Sequence, residues 1–118
     1  MPAARGPLVQ GFAGNGFRVD GVSYEGVLLT PEAACAWPAP ALERIAAVDL
    51  APLLALNPPP EFILLGTGPV LAFPPRALVA ALEEQGIGVE AMDSRAAART
   101  WGVLRGEGRW IAAALLPL

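Results

Sequence analysis

The feature that most constrains this fold is an unbroken apolar run from Phe62 to Leu65, followed at once by a glycine-containing turn at Gly66 to Gly68. A run without polar residues is typical of a strand that is buried on both faces of a sheet. Pro74 then opens a segment with apolar residues at helical spacing, which ends near Gly86. A buried strand followed directly by a helix favours a parallel sheet with a right-handed crossover.

The remaining C-terminal residues repeat this alternation. Ile87 to Met92 is predicted as a second strand, and Asp93 or Ser94 is a suitable cap for a helix from about residue 95 to residue 104. Arg109 to Leu116 is predicted as the last strand. The order strand, helix, strand, helix, strand indicates a βαβαβ portion.

The N-terminal half is predicted to consist of strands and turns. Asp20-Gly21 is a strong hairpin signal between Phe17 to Val19 and a strand expected to run from Val22 to Thr30. The segment from Ala33 to Ala47 is ambiguous and its structure is left open. At 118 residues the chain is predicted to be one domain, residues 1–118. We therefore expect an α/β fold, a single three-layer domain with a mixed central sheet, a C-terminal βαβαβ portion and an N-terminal β-hairpin.

The inventory of reactive side chains excludes several kinds of enzyme. All eight basic residues are Arg, and the chain has neither Lys nor His. A Ser-His-Asp or Cys-His nucleophile pair, a Schiff-base Lys and a His-ligated metal are therefore excluded. We predict no catalytic residue, no metal and no cofactor.

Charge and hydropathy narrow the possible partners and the cellular location. Eleven acidic residues against eight Arg give a net charge of −3, so the basic surface needed for nucleic acid is not expected. The longest uncharged apolar run, Trp110 to Leu118, is less than half of the roughly 20 residues that a membrane-spanning helix needs. The single cysteine, Cys35, cannot form an internal disulfide, which fits a reducing, cytoplasmic compartment, and we expect it to be a small buried apolar residue.

A candidate ligand crevice lies where the carboxyl ends of the parallel strands are predicted to meet. Its residues are Gly66, Thr67, Gly68, Asp93, Ser94, Arg99 and Thr100. The glycines would let backbone amides approach an anion, and Arg99 could bind a carboxylate or phosphate. Structural roles compete with each of these functions: a turn at the glycines, a helix cap at Asp93-Ser94, and an ion pair of Arg99 with Asp93 or Glu90. A dinucleotide fingerprint is excluded, because Leu71 stands where its third glycine would fall.

Several segments, taken in order, resemble one family across about Phe12 to Pro117. They are Gly16 to Gly21, EGVLLTP at Glu25 to Pro31, Trp37, FILLGTG at Phe62 to Gly68, FPP at Phe73 to Pro75, IGVEAMDS at Ile87 to Ser94, AARTW at Ala97 to Trp101, Val103-Leu104, and EGR at Glu107 to Arg109 before AAALLP. The chain resembles the small domain-of-unknown-function family that includes the mitochondrial complex I assembly factor 3 and archaeal and bacterial relatives.

The resemblance implies a compact three-layer α/β fold, no established enzymatic activity, and binding of protein partners during assembly of respiratory NADH dehydrogenase. Ser94 stands where the family usually has Thr, Ala98 replaces a frequent Cys, and Trp101-Gly102 replaces a Tyr-Asn pair. The lost Cys and Asn are polar groups that an enzyme would use, so the departures weaken an enzymatic interpretation. We expect a bacterial, non-enzymatic binding protein in the cytoplasm, peripheral to the inner membrane, whose partner is a respiratory complex subunit or another assembly factor. The alternatives are an anion-binding or enzymatic site in the candidate crevice, and a homo-oligomer is compatible with either function.

Overall fold

A computed structural model describes residues 6–118, in which eight strands and three α-helices are found. The strands are β1 (Val9–Ala13), β2 (Gly16–Val19), β3 (Val22–Tyr24), β4 (Val27–Leu29), β5 (Ala34–Ala36), β6 (Phe62–Gly66), β7 (Gly88–Met92) and β8 (Ala112–Leu115). The helices are α1 (Ala51–Leu54), α2 (Arg76–Glu84) and α3 (Ser94–Gly106).

Five of the strands form one mixed sheet in the order β5-β4-β8-β6-β7, and β1, β2 and β3 form a separate antiparallel sheet. β6 is parallel to β7 and to β8, whereas β4 is antiparallel to β8 and to β5. Because α2 connects β6 to β7 and α3 connects β7 to β8, the C-terminal half is a βαβαβ unit with β6 between its parallel partners. The carboxyl ends of β6, β7 and β8 therefore lie at the same edge of the sheet.

The middle strands of the central sheet, β4, β8 and β6, are buried on both faces, and alternate residues of β6 divide between two apolar clusters. Ile63 and Leu65 pack with Leu82 of α2 on one face. Leu64 packs with Trp101 of α3 on the other face, where the three-stranded sheet also contributes. Burying side chains of this size contributes about 1.5–3 kcal/mol each, so this strand is a main source of stability. The layers are thus α1 and α2, the central sheet, and α3 with the small sheet.

This architecture confirms the predicted α/β class, the mixed central sheet, the βαβαβ portion and the N-terminal hairpin. The hairpin turn lies at Asp20 and Gly21, whose φ angles of 50° and 79° are both left-handed, as this turn requires. β1 extends the hairpin to three strands. The expectation of a single domain over residues 1–118 includes residues 1–5, which lie outside the described residues.

The expectation of one continuous strand from Val22 to Thr30 is wrong. The chain leaves the small sheet after β3 and enters the central sheet at β4, with Gly26 between them. Gly26 is buried, and a Cβ at this position would lie 2.6 Å from the carbonyl oxygen of Trp37. The backbones of Gly26 and Trp37 are close because the Trp37 amide donates a hydrogen bond of 3.0 Å to the Gly26 carbonyl oxygen, next to the pairing of β4 with β5. A side chain at position 26 would not fit there, so the glycine allows the chain to change sheets.

The segment left open by the sequence contains edge strand β5 and a 3-10 turn at Leu42–Arg44. The expectation that Cys35 is buried is wrong, because its side chain is exposed. β5 lies at the edge of the sheet beside an open cavity of about 370 Å³, and among residues 6–118 no side chain covers the thiol fully. Partial desolvation nevertheless raises the pKa of the Cys35 thiol, which lowers its thiolate fraction at neutral pH.

Candidate functional site

Ser94 links two of the segments that the sequence placed in the candidate crevice. Its hydroxyl accepts a hydrogen bond of 2.8 Å from the Gly68 amide and donates one of 2.7 Å to the carbonyl oxygen of Leu116. The Ser94 amide in turn donates to the carbonyl oxygen of Gly68 at 2.8 Å. The side chain is fully buried. The end of β6, the start of α3 and the end of β8 are therefore joined at one buried hydroxyl.

Gly66 and Gly68 serve this junction for different physical reasons. A Cβ on Gly66 would lie 2.8 Å from the Ser94 Oγ, closer than real Cβ contacts. Gly68 has a φ of 103°, a left-handed conformation that favours glycine. Their small size lets the backbone of the turn approach α3, so both glycines have a structural role here.

Thr67 fixes the loop that follows the turn. Its buried hydroxyl lies 2.7 Å from the carbonyl oxygen of Val70 and 3.2 Å from that of Met92, and it accepts a hydrogen bond of 3.1 Å from the Ala72 amide. The Thr67 amide also donates to Met92 at 2.8 Å. The Thr67 side chain thus fixes the conformation of the irregular segment after β6 and attaches this segment to the end of β7.

Asp93 caps α3, as one of the two sequence interpretations proposed. Its carboxylate accepts a hydrogen bond of 2.9 Å from the Ala96 amide. This bond and the negative charge of the half-buried carboxylate both stabilise the N-terminus of α3.

Arg99 and Thr100 lie further along α3, away from the Ser94 junction. Arg99 is exposed and lines a groove of about 200 Å³ with Ala98 and residues 9–12 of β1. Thr100 is half-buried. Among residues 6–118, Arg99 forms no ion pair with Asp93 or Glu90. Arg95, one turn earlier, places its guanidinium 5.5 Å from the centre of the Phe12 ring.

The structure therefore brings together Gly66, Thr67, Gly68, Asp93 and Ser94 and leaves Arg99 and Thr100 apart. The Gly68 amide and the Ser94 hydroxyl are already bonded to each other. An anion at this edge would have to replace those bonds, and binding there stays a prediction.

An exposed apolar surface that the sequence patterns did not predict follows the glycine turn directly. Val70, Leu71 and Phe73 are 67%, 62% and 93% exposed, although all three are large and apolar. We call these three residues the 70–73 surface. A groove of about 470 Å³ starts at Phe73 and is lined by Pro74, Arg76 and Val79. A signal was present, since an apolar segment enclosed by Pro69 and Pro74 has neither strand nor helix periodicity.

One surface ion pair lies at the opposite end of β6. Arg109 donates to both carboxylate oxygens of Glu61, at 3.0 and 3.2 Å, and its guanidinium lies 5.8 Å from the centre of the Phe62 ring. These hydrogen bonds hold the pKa of the Glu61 carboxyl below its ordinary value and raise the pKa of Arg109. Both groups are half exposed and already paired, so the pair is an attachment between β6 and the segment before β8.

Within residues 6–118, the helices are too short or too polar for any of them to cross a lipid bilayer.

Comparison with known proteins places these features in a family. The chain matches, over residues 9–116, the family described as "Protein of unknown function (DUF498/DUF598)". An uncharacterized protein of Rhodobacter capsulatus is 36% identical over 119 residues, which cover 99% of this chain and 90% of that protein. NADH dehydrogenase (ubiquinone) 1 alpha subcomplex assembly factor 3 of Danio rerio is 29% identical over 116 residues, or 98% of this chain and 67% of the relative.

Solved structures share the fold as well. A crystal structure of a protein from Bordetella parapertussis superimposes with a TM-score of 0.86 and 34% sequence identity, covering 99% of this chain and all of the other. The family match spans β1 to β8 and so includes the Ser94 junction, the loop fixed by Thr67 and the 70–73 surface. The chain belongs to the family of proteins of unknown function DUF498/DUF598.

Proposed function

We propose that this chain is a non-enzymatic protein-binding module that aids assembly of a respiratory NADH dehydrogenase complex in a bacterium. The observation that carries the proposal is the 70–73 surface. Contiguous exposed apolar side chains mark interaction sites in soluble proteins, because their exposure is unfavourable unless a partner covers them. Phe73 is 93% exposed, so it is not a core residue. Such a side chain suits a binding anchor, which is buried only when a partner covers it.

The loop that presents this surface is held in place before any partner binds. The Thr67 hydroxyl contacts backbone groups of Val70 and Ala72, within the segment that displays the apolar side chains. A preorganised loop loses less conformational entropy on association than a mobile one. This arrangement supports binding as the role of the loop.

The choice of a respiratory complex rests on one relative. The Danio rerio relative is an assembly factor for a subcomplex of NADH dehydrogenase by its name, and its similarity extends over nearly the whole of this chain. We place the module in the cytoplasm, at the periphery of the inner membrane, where such a complex is assembled. Its partner would be a subunit of that complex or a second assembly factor.

Deletion of the gene in its own organism tests this function. We expect the assembled NADH dehydrogenase, measured on native gels and by NADH oxidation in isolated membranes, to fall and to return when the wild-type chain is supplied. Affinity capture of the tagged chain from detergent-solubilised membranes should recover subunits of the complex or another assembly factor. Unchanged levels of assembled complex in the deletion strain would overturn the proposal.

A further inference from the structure

The groove beside the 70–73 surface has a definite charge. Arg76 is the only charged residue among those that line it, and among residues 6–118 it forms no ion pair. Glu83, the next acidic residue on α2, is seven residues further along the helix, or roughly 10 Å at 1.5 Å per residue. The groove is therefore apolar with a single positive charge at its side.

Two acidic residues on the elements that follow α2, Glu90 and Asp93, are directed to other parts of the structure. Glu90 of β7 lies directly opposite Leu64 in the sheet register, and Leu64 packs on the face covered by α3. Since opposed residues in neighbouring strands project from the same face, Glu90 lies on the side of the sheet away from α2. The Asp93 carboxylate is engaged at the start of α3.

The start of α2 adds to the positive potential. The N-cap residue of this nine-residue helix is Pro75, whose side chain has no group that can accept a hydrogen bond. The partial positive charge of the helix N-terminus thus acts in the same direction as the Arg76 guanidinium. A partner that covered the groove with a basic segment would meet repulsion from both.

We propose that the 70–73 surface and the adjoining groove bind an acidic amphipathic segment of a partner protein. Apolar side chains of that segment cover Leu71 and Phe73, and a carboxylate pairs with Arg76. The inference deepens the proposed function and rests on it, since it names the chemistry of the partner. A purely apolar segment does not fit this surface, because Arg76 at the groove is charged. An anionic membrane does not fit it either, because Arg76 is a single positive charge on a chain of net charge −3.

Site-specific photo-crosslinking in the native host tests this partner chemistry. The full chain carries the photoreactive amino acid p-benzoylphenylalanine in place of Phe73, and the matched control carries it in place of Val103. Val103 is 61% exposed on α3, on the other side of the sheet. Mass spectrometry then identifies the crosslinked peptide.

We expect the Phe73 position to crosslink to a protein segment that has an Asp or Glu within one helical turn of the attached apolar residue. Arg76→Glu should lower the crosslink yield about tenfold or more, because like charges across an interface are repulsive, whereas Arg76→Lys should keep most of it. Crosslinks to phospholipid, to a second copy of this chain or to a segment without carboxylates would overturn the proposal. So would a yield that matches the Val103 control or does not change with Arg76→Glu.

The two proposals fail in different ways. If the crosslinked segment is acidic and amphipathic but belongs to a protein unrelated to NADH dehydrogenase, the surface assignment stands and the proposed function falls. If NADH dehydrogenase subunits are captured equally well by the wild-type chain and by the Phe73→Ser and Arg76→Glu variants, the function stands and the surface assignment falls.

Discussion

The hydroxyl of Ser94 lies 2.7 Å from the carbonyl oxygen of Leu116 and donates its proton to it, so the first residue of α3 is bonded to the chain just beyond β8. The Ser94 hydroxyl oxygen also accepts a hydrogen bond from the Gly68 amide. One buried side chain thus connects the segments that follow β6, β7 and β8, the three parallel strands of the sheet.

Removal of this hydroxyl should destabilise the fold. In Ser94→Ala the Gly68 amide and the Leu116 carbonyl each lose a partner in a site without solvent, and we expect a loss of about 2 kcal/mol in the free energy of unfolding. Urea denaturation followed by circular dichroism measures this loss. Ser23→Ala, at an exposed position of β3, is the matched control and should change stability by no more than about 0.5 kcal/mol. An equal effect of the two substitutions would contradict a structural role for Ser94.

Two glycines should respond to alanine in opposite directions. A Cβ at Gly66 would meet the Ser94 Oγ at 2.8 Å and the Leu115 Cδ2 at 2.9 Å, so we expect Gly66→Ala to cost about 1–3 kcal/mol through crowding. Gly102 lies inside α3 with open space around it, and Gly102→Ala should stabilise by about 0.5–1 kcal/mol. Thermal melts of both variants check the prediction, which fails if Gly66→Ala is neutral or stabilising.

The loop after β6 should loosen when Thr67 loses its hydroxyl. Thr67→Val keeps the shape of the side chain but removes the bond to the Ala72 amide, so hydrogen exchange at that amide should accelerate about fivefold, the equivalent of roughly 1 kcal/mol. Thr67→Ser keeps the hydroxyl and is the control. Exchange at Ala72 that is unchanged in Thr67→Val would show that the hydroxyl does not hold the loop.

The Glu61 carboxyl should titrate below the ordinary range of a glutamate. Because Arg109 donates two hydrogen bonds to it, the folded pKa is lowered relative to the unfolded chain. The contribution of this pair to stability is therefore complete above the unfolded pKa of about 4.3 and is lost as the pH falls through the lower folded pKa. Carbon-detected NMR titration of the carboxyl measures the shift.

Arg109→Met should return the pKa of Glu61 towards its ordinary value. Salt near 1 M should do the same in part, because both side chains are about half exposed and a Debye length of about 3 Å screens them. A pKa of Glu61 that is identical in the wild-type chain and in Arg109→Met would refute the pairing.

Local sequence patterns were sufficient for most of the architecture. The run from Phe62 to Leu65 has no polar residue because both faces of β6 are covered, and this property is written in the strand itself. The hairpin turn at Asp20-Gly21 and the turn that follows α2 at Gly86 need a left-handed backbone, with φ of 79° at Gly21 and 78° at Gly86. Such features depend on the residues within one element, so the sequence by itself determined the fold class and the order of the elements in the C-terminal half.

The tertiary structure decided which groups meet. The sequence placed Arg99 with Ser94, but helical geometry puts Arg99 on the exposed face of α3 beside β1, while Ser94 lies in the interior. The break at Gly26 depends on the approach of Trp37, and the exposure of Phe73 depends on what α2 and the sheet leave uncovered. These relationships join residues distant along the chain, and their energies arise from packing and hydrogen bonds that exist only after the strands have paired. No local pattern contains that information.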